Sequence, residues 1–178
     1  YQLELSASAS FGFALRIPNW SNQTSVYVNG EKIELAGLIR NGYAVIARNW
    51  SNGDVIELEL DMSIQRMKAH PKVRANAGKV ALQRGPIVYC IEQADNGTDL
   101  QHVRLPENAE LTLSFNSELA GGVYTIEATG ITANVASWSD DLYAPDASLE
   151  LTEKKLTFIP YYAWANRGEG EMMVWVKE

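Results

Sequence analysis

Apolar and polar residues alternate with a period of two along most of the chain, which is the pattern of half-buried β-strands. In the first part of the chain this pattern predicts five or six short strands. The alternating apolar positions there are Phe11, Phe13, Leu15 and Ile17; Val26 and Val28; Ile33 and Leu35; residues 43–48; and Ile56, Leu58 and Leu60. Asn29-Gly30 follows Val28, and this dipeptide tolerates the positive φ angles of a two-residue hairpin turn. Residues 1–64 are therefore predicted to form a compact β unit.

The second part of the chain continues the β pattern over longer segments. Apolar strands are predicted at residues 79–82 and 87–92, and alternating strands at 111–115 and 124–128. Pro86 lies between the first two and donates no ladder hydrogen bond, which places it at an edge, a bend or a strand start. Residues 155–159 and 172–176 are predicted to pair with each other, with the segment between them as a long hairpin connection.

The predicted fold class is all-β, because no segment of ten or more residues carries an apolar stripe with the 3.6-residue period of a helix. We expect two consecutive antiparallel β-sandwich-like units. The smaller is assigned to residues 1–64 and the larger to residues 65–178. Their boundary is expected near residues 61–66, where the first alternating set ends.

The charge and length of the chain argue against nucleic-acid binding and against a membrane-spanning helix. The chain has 178 residues and a formal net charge of -7, with 15 basic residues against 22 acidic ones. This balance leaves no dominant phosphate-binding face, so nucleic acid is not an expected partner. No apolar run approaches the roughly 18–20 residues of a membrane-spanning helix. The sequence starts at Tyr1 without a signal peptide, which predicts a fragment of a longer protein. Its compartment stays open between cytoplasmic, periplasmic and secreted.

The sequence offers little support for a catalytic site or a metal-binding site. Cys90 lies in the apolar run at residues 87–91, which favours a buried, inert thiol over a nucleophile. His70 and His102 are far apart and there is no cysteine pair, so no metal site and no cofactor are predicted. The acidic residues at 140, 141 and 146 lack the spacing of a calcium loop. No Gly-x-Ser-x-Gly elbow or glycine-rich phosphate loop occurs.

The aromatic-rich segment at residues 160–172, PYYAWANRGEGEM, is the strongest candidate for a site. Its candidate interface or sugar-contacting residues are Tyr161, Tyr162, Trp164, Asn166 and Arg167. We favour inter-domain or corner packing over direct sugar contact, because these rings are too large to remain fully hydrated. Arg167 is expected to pair with a backbone carbonyl or with an acidic group across the domain interface. Glu169 and Glu171 flank Gly170 and are interpreted as solvated turn carboxylates.

Several motifs occur in an order that carries a family resemblance. LRIPNW at residues 15–20 precedes LQRGPIVYCIE at 82–92 and PYYAWANRG at 160–168. Together they resemble the C-terminal non-catalytic region of the bacterial β-L-arabinofuranosidase family, glycoside hydrolase family 127. The resemblance covers nearly the whole chain.

The resemblance implies an accessory role for this chain. Members of the family have an (α/α)6-barrel catalytic domain followed by two β-sandwich domains. The catalytic Glu, the cysteine nucleophile and the cysteine-rich zinc site lie in that barrel, so no catalytic residue is assigned here. We expect a fragment that is inactive alone and supports the barrel of the same polypeptide. The alternative is a carbohydrate-binding module that binds plant-type arabinose-containing glycans through exposed aromatics. Weak self-association is also expected, through apolar surface that normally meets the barrel.

Overall fold

The structure is a computed structural model that describes residues 1–138, 141–145 and 149–178, and it divides into two compact units. They comprise Tyr1–Ser63 and Ile64–Glu178. The predicted all-β class is confirmed, because the only α-helix in the described residues is the four-residue α1 (Gln93–Asn96). Short 3-10 turns and antiparallel strands make up the other regular structure there. No helix among these residues is long and apolar enough to cross a membrane.

The smaller unit consists of two three-stranded antiparallel sheets. Its strands are β1 (Ala9–Arg16), β2 (Ser25–Val28), β3 (Glu31–Ile33), β4 (Ile39–Arg40), β5 (Tyr43–Trp50) and β6 (Ile56–Glu59). One sheet has the order β1-β5-β4 and the other β3-β2-β6. The predicted hairpin turn is confirmed, because Asn29 and Gly30 have φ angles of 52° and 80° between paired β2 and β3.

The core of the smaller unit combines alternating side chains from both sheets. Its buried residues are Leu15, Ile17, Val26, Val28, Ala44, Ile46, Trp50 and Ile56. Alternation puts every second residue of a strand on one face, so these positions point inward while their neighbours face water. Trp50 is fully buried, and its indole N–H donates to the carbonyl of Phe11 over 3.0 Å.

The larger unit is organised on one eight-stranded antiparallel sheet. Its strands are β7 (Ile64–Met67), β8 (Lys79–Arg84), β9 (Ile87–Glu92), β10 (Leu111–Asn116), β11 (Val123–Ala133), β12 (Leu151–Pro160), β13 (Met172–Met173) and β14 (Val176–Lys177). Helix α1 directly follows β9. The central strands β9 and β12 bury apolar residues on both faces, with Tyr89 and Ile91 in one cluster and Cys90 in the other. Burial on both faces explains the continuous apolar run at residues 89–91, whereas Val88 before it is 39% exposed.

The strand pairing around β9 differs from the prediction. Ile91 pairs with Phe158 of β12 on one edge and with Met173 of β13 on the other. The predicted pairing of residues 155–159 with 172–176 is therefore wrong, because β9 lies between them. Apolar alternation shows which segments are strands, but the choice of neighbour depends on contacts with distant parts of the chain.

The last two strands close a gap in the sheet. The hairpin of β8 and β9 pairs only near its turn, at Gln83 with Val88 and Arg84 with Ile87. Beyond that point β13 pairs with β9, and β14 pairs with β8 through Val176 and Val80. Since each strand has two edges, β13 and β14 occupy the space where the hairpin separates. Residues 161–171 must therefore cross the end of β9 to reach this position.

Candidate functional site

The segment PYYAWANRGEGEM connects β12 to β13 across the end of β9. It begins with the last residue of β12 and a 3-10 turn at Tyr161–Ala163, in which Ala163 is fully buried. Ala163 packs in the smaller of the two core clusters, with Cys90 and Ile159. The segment is thus attached to the sheet by a small side chain, while its larger side chains are free to point away from the core.

Arg167 binds two carboxylates at the end of β9. Its Nη1 donates to Oδ1 of Asp95 over 2.7 Å, and its Nη2 reaches Oδ2 of Asp95 and Oε2 of Glu92, both over 2.5 Å. Glu92 is only 4% exposed, so its negative charge requires a close partner. The hydrogen bond that Arg167 donates to Asp95, reinforced by the one to Glu92, raises the pKa of the Arg167 guanidinium above its usual range despite partial burial. Because Glu92 and Asp95 belong to the same unit as Arg167, the expected pairing across a domain interface is wrong.

The second oxygen of Glu92 holds the backbone of the segment. Oε1 accepts a hydrogen bond of 3.0 Å from the N–H of Ala165. Ala165 has a φ of 62°, a left-handed conformation that is unfavourable for alanine. Glu92 therefore fixes both the side chain of Arg167 and a strained turn two residues before it. We refer to Glu92, Asp95, Ala165 and Arg167 as the arginine clamp.

Glu171 anchors the other end of the segment. Its carboxylate accepts from the backbone N–H groups of Asp99 and Leu100 over 3.1 and 2.8 Å. Its own N–H donates to the side-chain oxygen of Gln93 over 3.0 Å, and its carbonyl accepts from the N–H of Gln93 over 2.9 Å. Glu171 is exposed, as interpreted from the sequence, but its carboxylate also caps the turn that begins at Leu100.

The aromatic candidates are partly exposed at the surface of the same segment. Tyr161, Tyr162 and Trp164 are 46%, 64% and 36% exposed. The rings of Tyr161 and Trp164 are 6.3 Å apart between centroids at an angle of 42°. Asn166 uses its side-chain amide within the segment, where Nδ2 donates to the carbonyl of Ala163 over 3.0 Å. The structure thus joins Arg167 to the fold and leaves these three rings available to a partner.

Cys90 lies beneath the segment and is fully buried, as predicted. Burial raises the pKa of its thiol to about 12, and the negative charge of Glu92 adds to the effect. A thiol in this state has almost no thiolate at neutral pH and is a poor nucleophile.

We expect Cys90 to resist a thiol reagent at pH 8 in the folded chain and to react fully in denaturant. Because folding raises the pKa from 9.0 to about 12, its stabilising contribution is complete below pH 9 and is lost between pH 9 and 12. Over that window the free energy of unfolding should fall by about 1.4 kcal/mol per pH unit from this group. Urea unfolding of Cys90→Ala should lack this component. Equal slopes for the two proteins would contradict the assignment.

The remaining candidate ligands form no cluster. Among the described residues, no three His, Cys, Asp or Glu side chains group together as metal ligands do. His70 lies in the loop after β7, whereas His102 ends a separate 3-10 turn at Leu100–His102. Of the three acidic residues at 140, 141 and 146, the first and the last lie outside the described residues.

Sequence reasoning missed Glu92, Asp95 and the structural use of Glu171. One signal was present for Glu92, since it is the single charged residue at residues 87–92 and ends an apolar strand that is buried on both faces. A charge in such a position needs an oppositely charged partner. Arg167 lies 75 residues away in sequence, so nothing local identifies it as that partner.

Comparison with known proteins places both units in one family. The sequence model of the glycoside hydrolase family 127 (GH127) C-terminal domain matches residues 64–177. The model of the β-L-arabinofuranosidase, GH127 middle domain, matches residues 1–62. These matches meet within two residues of the division between the two structural units.

Individual relatives support the same placement. A non-reducing end β-L-arabinofuranosidase of Bifidobacterium longum is 38% identical over 98% of this chain. A GH127 β-L-arabinofuranosidase structure from Geobacillus stearothermophilus T6 matches with a TM-score of 0.94 and 46% identity over 99% of this chain. A further GH127 β-arabinofuranosidase structure matches with a TM-score of 0.81 and 35% identity, again over 99% of this chain. The chain spans 27%, 28% and 29% of the length of these three relatives, respectively.

Proposed function

Because the chain belongs to glycoside hydrolase family 127, we propose that it is the non-catalytic middle and C-terminal part of a longer enzyme that hydrolyses β-L-arabinofuranosides. Its role is to pack on the catalytic domain of the same polypeptide and support it. The resemblance implies that this domain is an (α/α)6 barrel. The proposal includes the activity of that longer enzyme, hydrolysis, and its substrate, a β-L-arabinofuranoside.

One observation carries the proposal. Two consecutive domain models of one hydrolase family cover residues 1–62 and 64–177, while the whole chain corresponds to little more than a quarter of each relative. A free-standing binding module would not be expected to match both domains in the order in which the hydrolase carries them. For this reason the alternative of a carbohydrate-binding module is not favoured.

The chemistry of the candidate site agrees with an accessory role. Hydrolysis of a glycosidic bond generally uses two carboxyl groups that are available to the substrate and lie about 5 to 10 Å apart. Here Glu92 and Asp95 are bound to Arg167, and Glu171 is bound to two backbone N–H groups. Carboxylates whose oxygens are already engaged by an arginine or by backbone N–H groups are suited to fixing a loop.

The experiment compares the 178-residue chain with the complete polypeptide on a chromogenic β-L-arabinofuranoside. We expect hydrolysis by the complete polypeptide and none by the chain alone. Hydrolysis by the chain that is abolished by a substitution at Glu92 or Glu171 would contradict the proposal. Absence of hydrolysis by the complete polypeptide on arabinofuranosides of any linkage would contradict the assigned parent activity.

A further inference from the structure

Basic residues are concentrated in one continuous part of the larger unit. Residues 62–91 contain six Lys or Arg side chains and no Asp or Glu, although the chain as a whole has a net charge of -7. The six are Arg66, Lys68, Lys72, Arg74, Lys79 and Arg84. This part of the chain forms β7, the loop at residues 68–78, β8 and most of β9. A concentration of one charge in a protein of opposite net charge indicates a surface for an acidic partner.

Half of these cations are already used inside the unit. Lys68 lies 3.1 Å from Glu107 and 3.0 Å from Glu178. Arg66 donates to the backbone carbonyl of Pro106 over 2.8 Å. The guanidinium of Arg84 lies 5.1 Å from the ring centroid of Tyr124, a cation–π contact. These three side chains therefore stabilise the fold itself.

The other three have no carboxylate partner among the described residues. Lys72 and Arg74 are exposed in the loop that joins β7 to β8. Lys79 lies directly opposite Lys177 in the pairing of β8 with β14. Like charges directly opposite each other on neighbouring strands are unfavourable. An acidic group placed against this strand pair would remove that repulsion.

An apolar groove adjoins the basic loop. It has a volume of about 390 Å³, and its apolar lining includes Met67, Ala81, Val88, Val174 and Trp175. Met67 and Val88 are 38% and 39% exposed, although both lie on strands of the sheet. A second groove of about 380 Å³ is lined by residues 68–71 and 76–78 of this loop with Val73, Lys79 and Glu178, and Lys68 and Ala69 line both grooves. The exposed Lys72 and Arg74 belong to the same loop, and Glu178 is already paired with Lys68. The two adjoining grooves and this loop together form a basic-apolar surface.

We propose that this basic-apolar surface docks the catalytic portion of the same polypeptide, through a segment of that portion with an apolar side chain flanked by carboxylates. The inference rests on the proposed function and adds the contact surface and the chemistry of its partner. The apolar side chain fills the groove beside Val88, and the carboxylates meet Lys72, Arg74 and Lys79. Buried apolar area supplies affinity, and the charges fix the register.

An intramolecular partner fits the size of this surface. The relatives contain about 70% of their length outside the part that matches this chain. A segment within the same polypeptide is held at high effective concentration, so a contact of modest area is sufficient. A separate protein would need an interface of roughly 1,200 Å² or more for stable binding.

Amide hydrogen exchange tests the location of the contact. Exchange at residues 67–79 is measured in the 178-residue chain and in the complete polypeptide. We expect exchange at least about tenfold slower in the complete polypeptide, since docking must open before these amides exchange. Equal rates at 67–79 with slower exchange at another surface would overturn this inference and leave the proposed function standing. Equal rates throughout residues 1–178 would contradict the proposed function as well.

Charge reversal tests the chemistry of the partner. In the complete polypeptide, Lys72→Glu with Arg74→Glu should remove most of the roughly tenfold protection at residues 67–79. The matched control is Arg104→Glu with Lys154→Glu, which reverses two cations that likewise have no carboxylate partner among the described residues. Val88→Asp places a carboxylate in the apolar groove. It should likewise remove most of the exchange protection at residues 67–79. Melting of each variant within the 178-residue chain checks that the unit stays folded. The inference is overturned if both charge-reversal pairs leave the same protection.

Discussion

Trp50→Ala is expected to unfold the smaller unit or bring it close to unfolding. Trp50 is 0% exposed, packs 6.1 Å from the ring of Phe13 between centroids and donates its indole N–H to Phe11. Truncating a buried tryptophan removes about 3–5 kcal/mol through lost burial and the cavity left behind. A unit of this size has a free energy of unfolding of only about 3–9 kcal/mol, at 0.05–0.15 kcal/mol per residue. Urea unfolding followed by circular dichroism measures the effect.

Two control variants show how much of the effect comes from loss of buried area at Trp50. Trp50→Phe keeps much of the buried area but loses the hydrogen bond to Phe11, so its effect should be intermediate. Ile39→Ala changes a side chain that is 45% exposed and should stay within about 0.5 kcal/mol of the parent chain. If Trp50→Ala were as mild as Ile39→Ala, the smaller unit would not depend on the core described here.

Arg167→Met should have the second large effect, on the larger unit. It leaves the carboxylate of Glu92 only 4% exposed and without its cationic partner. We expect the free energy of unfolding to fall by about 3 kcal/mol, the lower end for breaking a buried ion pair, because Arg167 itself is partly exposed. Calorimetric melting of the variant provides the measurement. Amides at residues 161–171 should also exchange faster, since the clamp fixes that segment.

A second substitution tests whether the unpaired charge is the cause. Glu92→Gln combined with Arg167→Met removes both charges and keeps an oxygen to accept from Ala165, so much of the stability should return. Lys155→Ala breaks the pair with Glu127, in which the lysine side chain is 77% exposed, and should cost less than about 1 kcal/mol. No recovery in the double variant would mean that the packing of Arg167 matters more than the charge of Glu92.

The candidate site was only partly predictable from sequence. Composition identified residues 160–172 as unusual, and the residues named there are adjacent in the chain. The reason for their arrangement lies elsewhere, at Glu92 and Asp95, which follow a strand more than 70 residues earlier. Arg167 comes close to Glu92 and Asp95 only because β9 lies between β12 and β13 in the sheet. The local sequence around Arg167 carries no information about this arrangement. The basic charge of residues 62–91 was likewise visible, but its continuity with an apolar groove was not.

The sequence by itself determined the β class, the Asn29-Gly30 turn, the alternation that includes the buried Leu15, Val26, Val28 and Ile56, and the burial of Cys90. Each follows from local rules, namely alternation, turn chemistry and the cost of hydrating apolar side chains. Only the tertiary structure decided which strands are neighbours, where β13 and β14 insert and which carboxylates hold Arg167. Strand neighbours and ion-pair partners depend on contacts between distant parts of the chain. The pairing that packs best and brings opposite charges together is the one adopted, and no periodic pattern in the sequence records that choice.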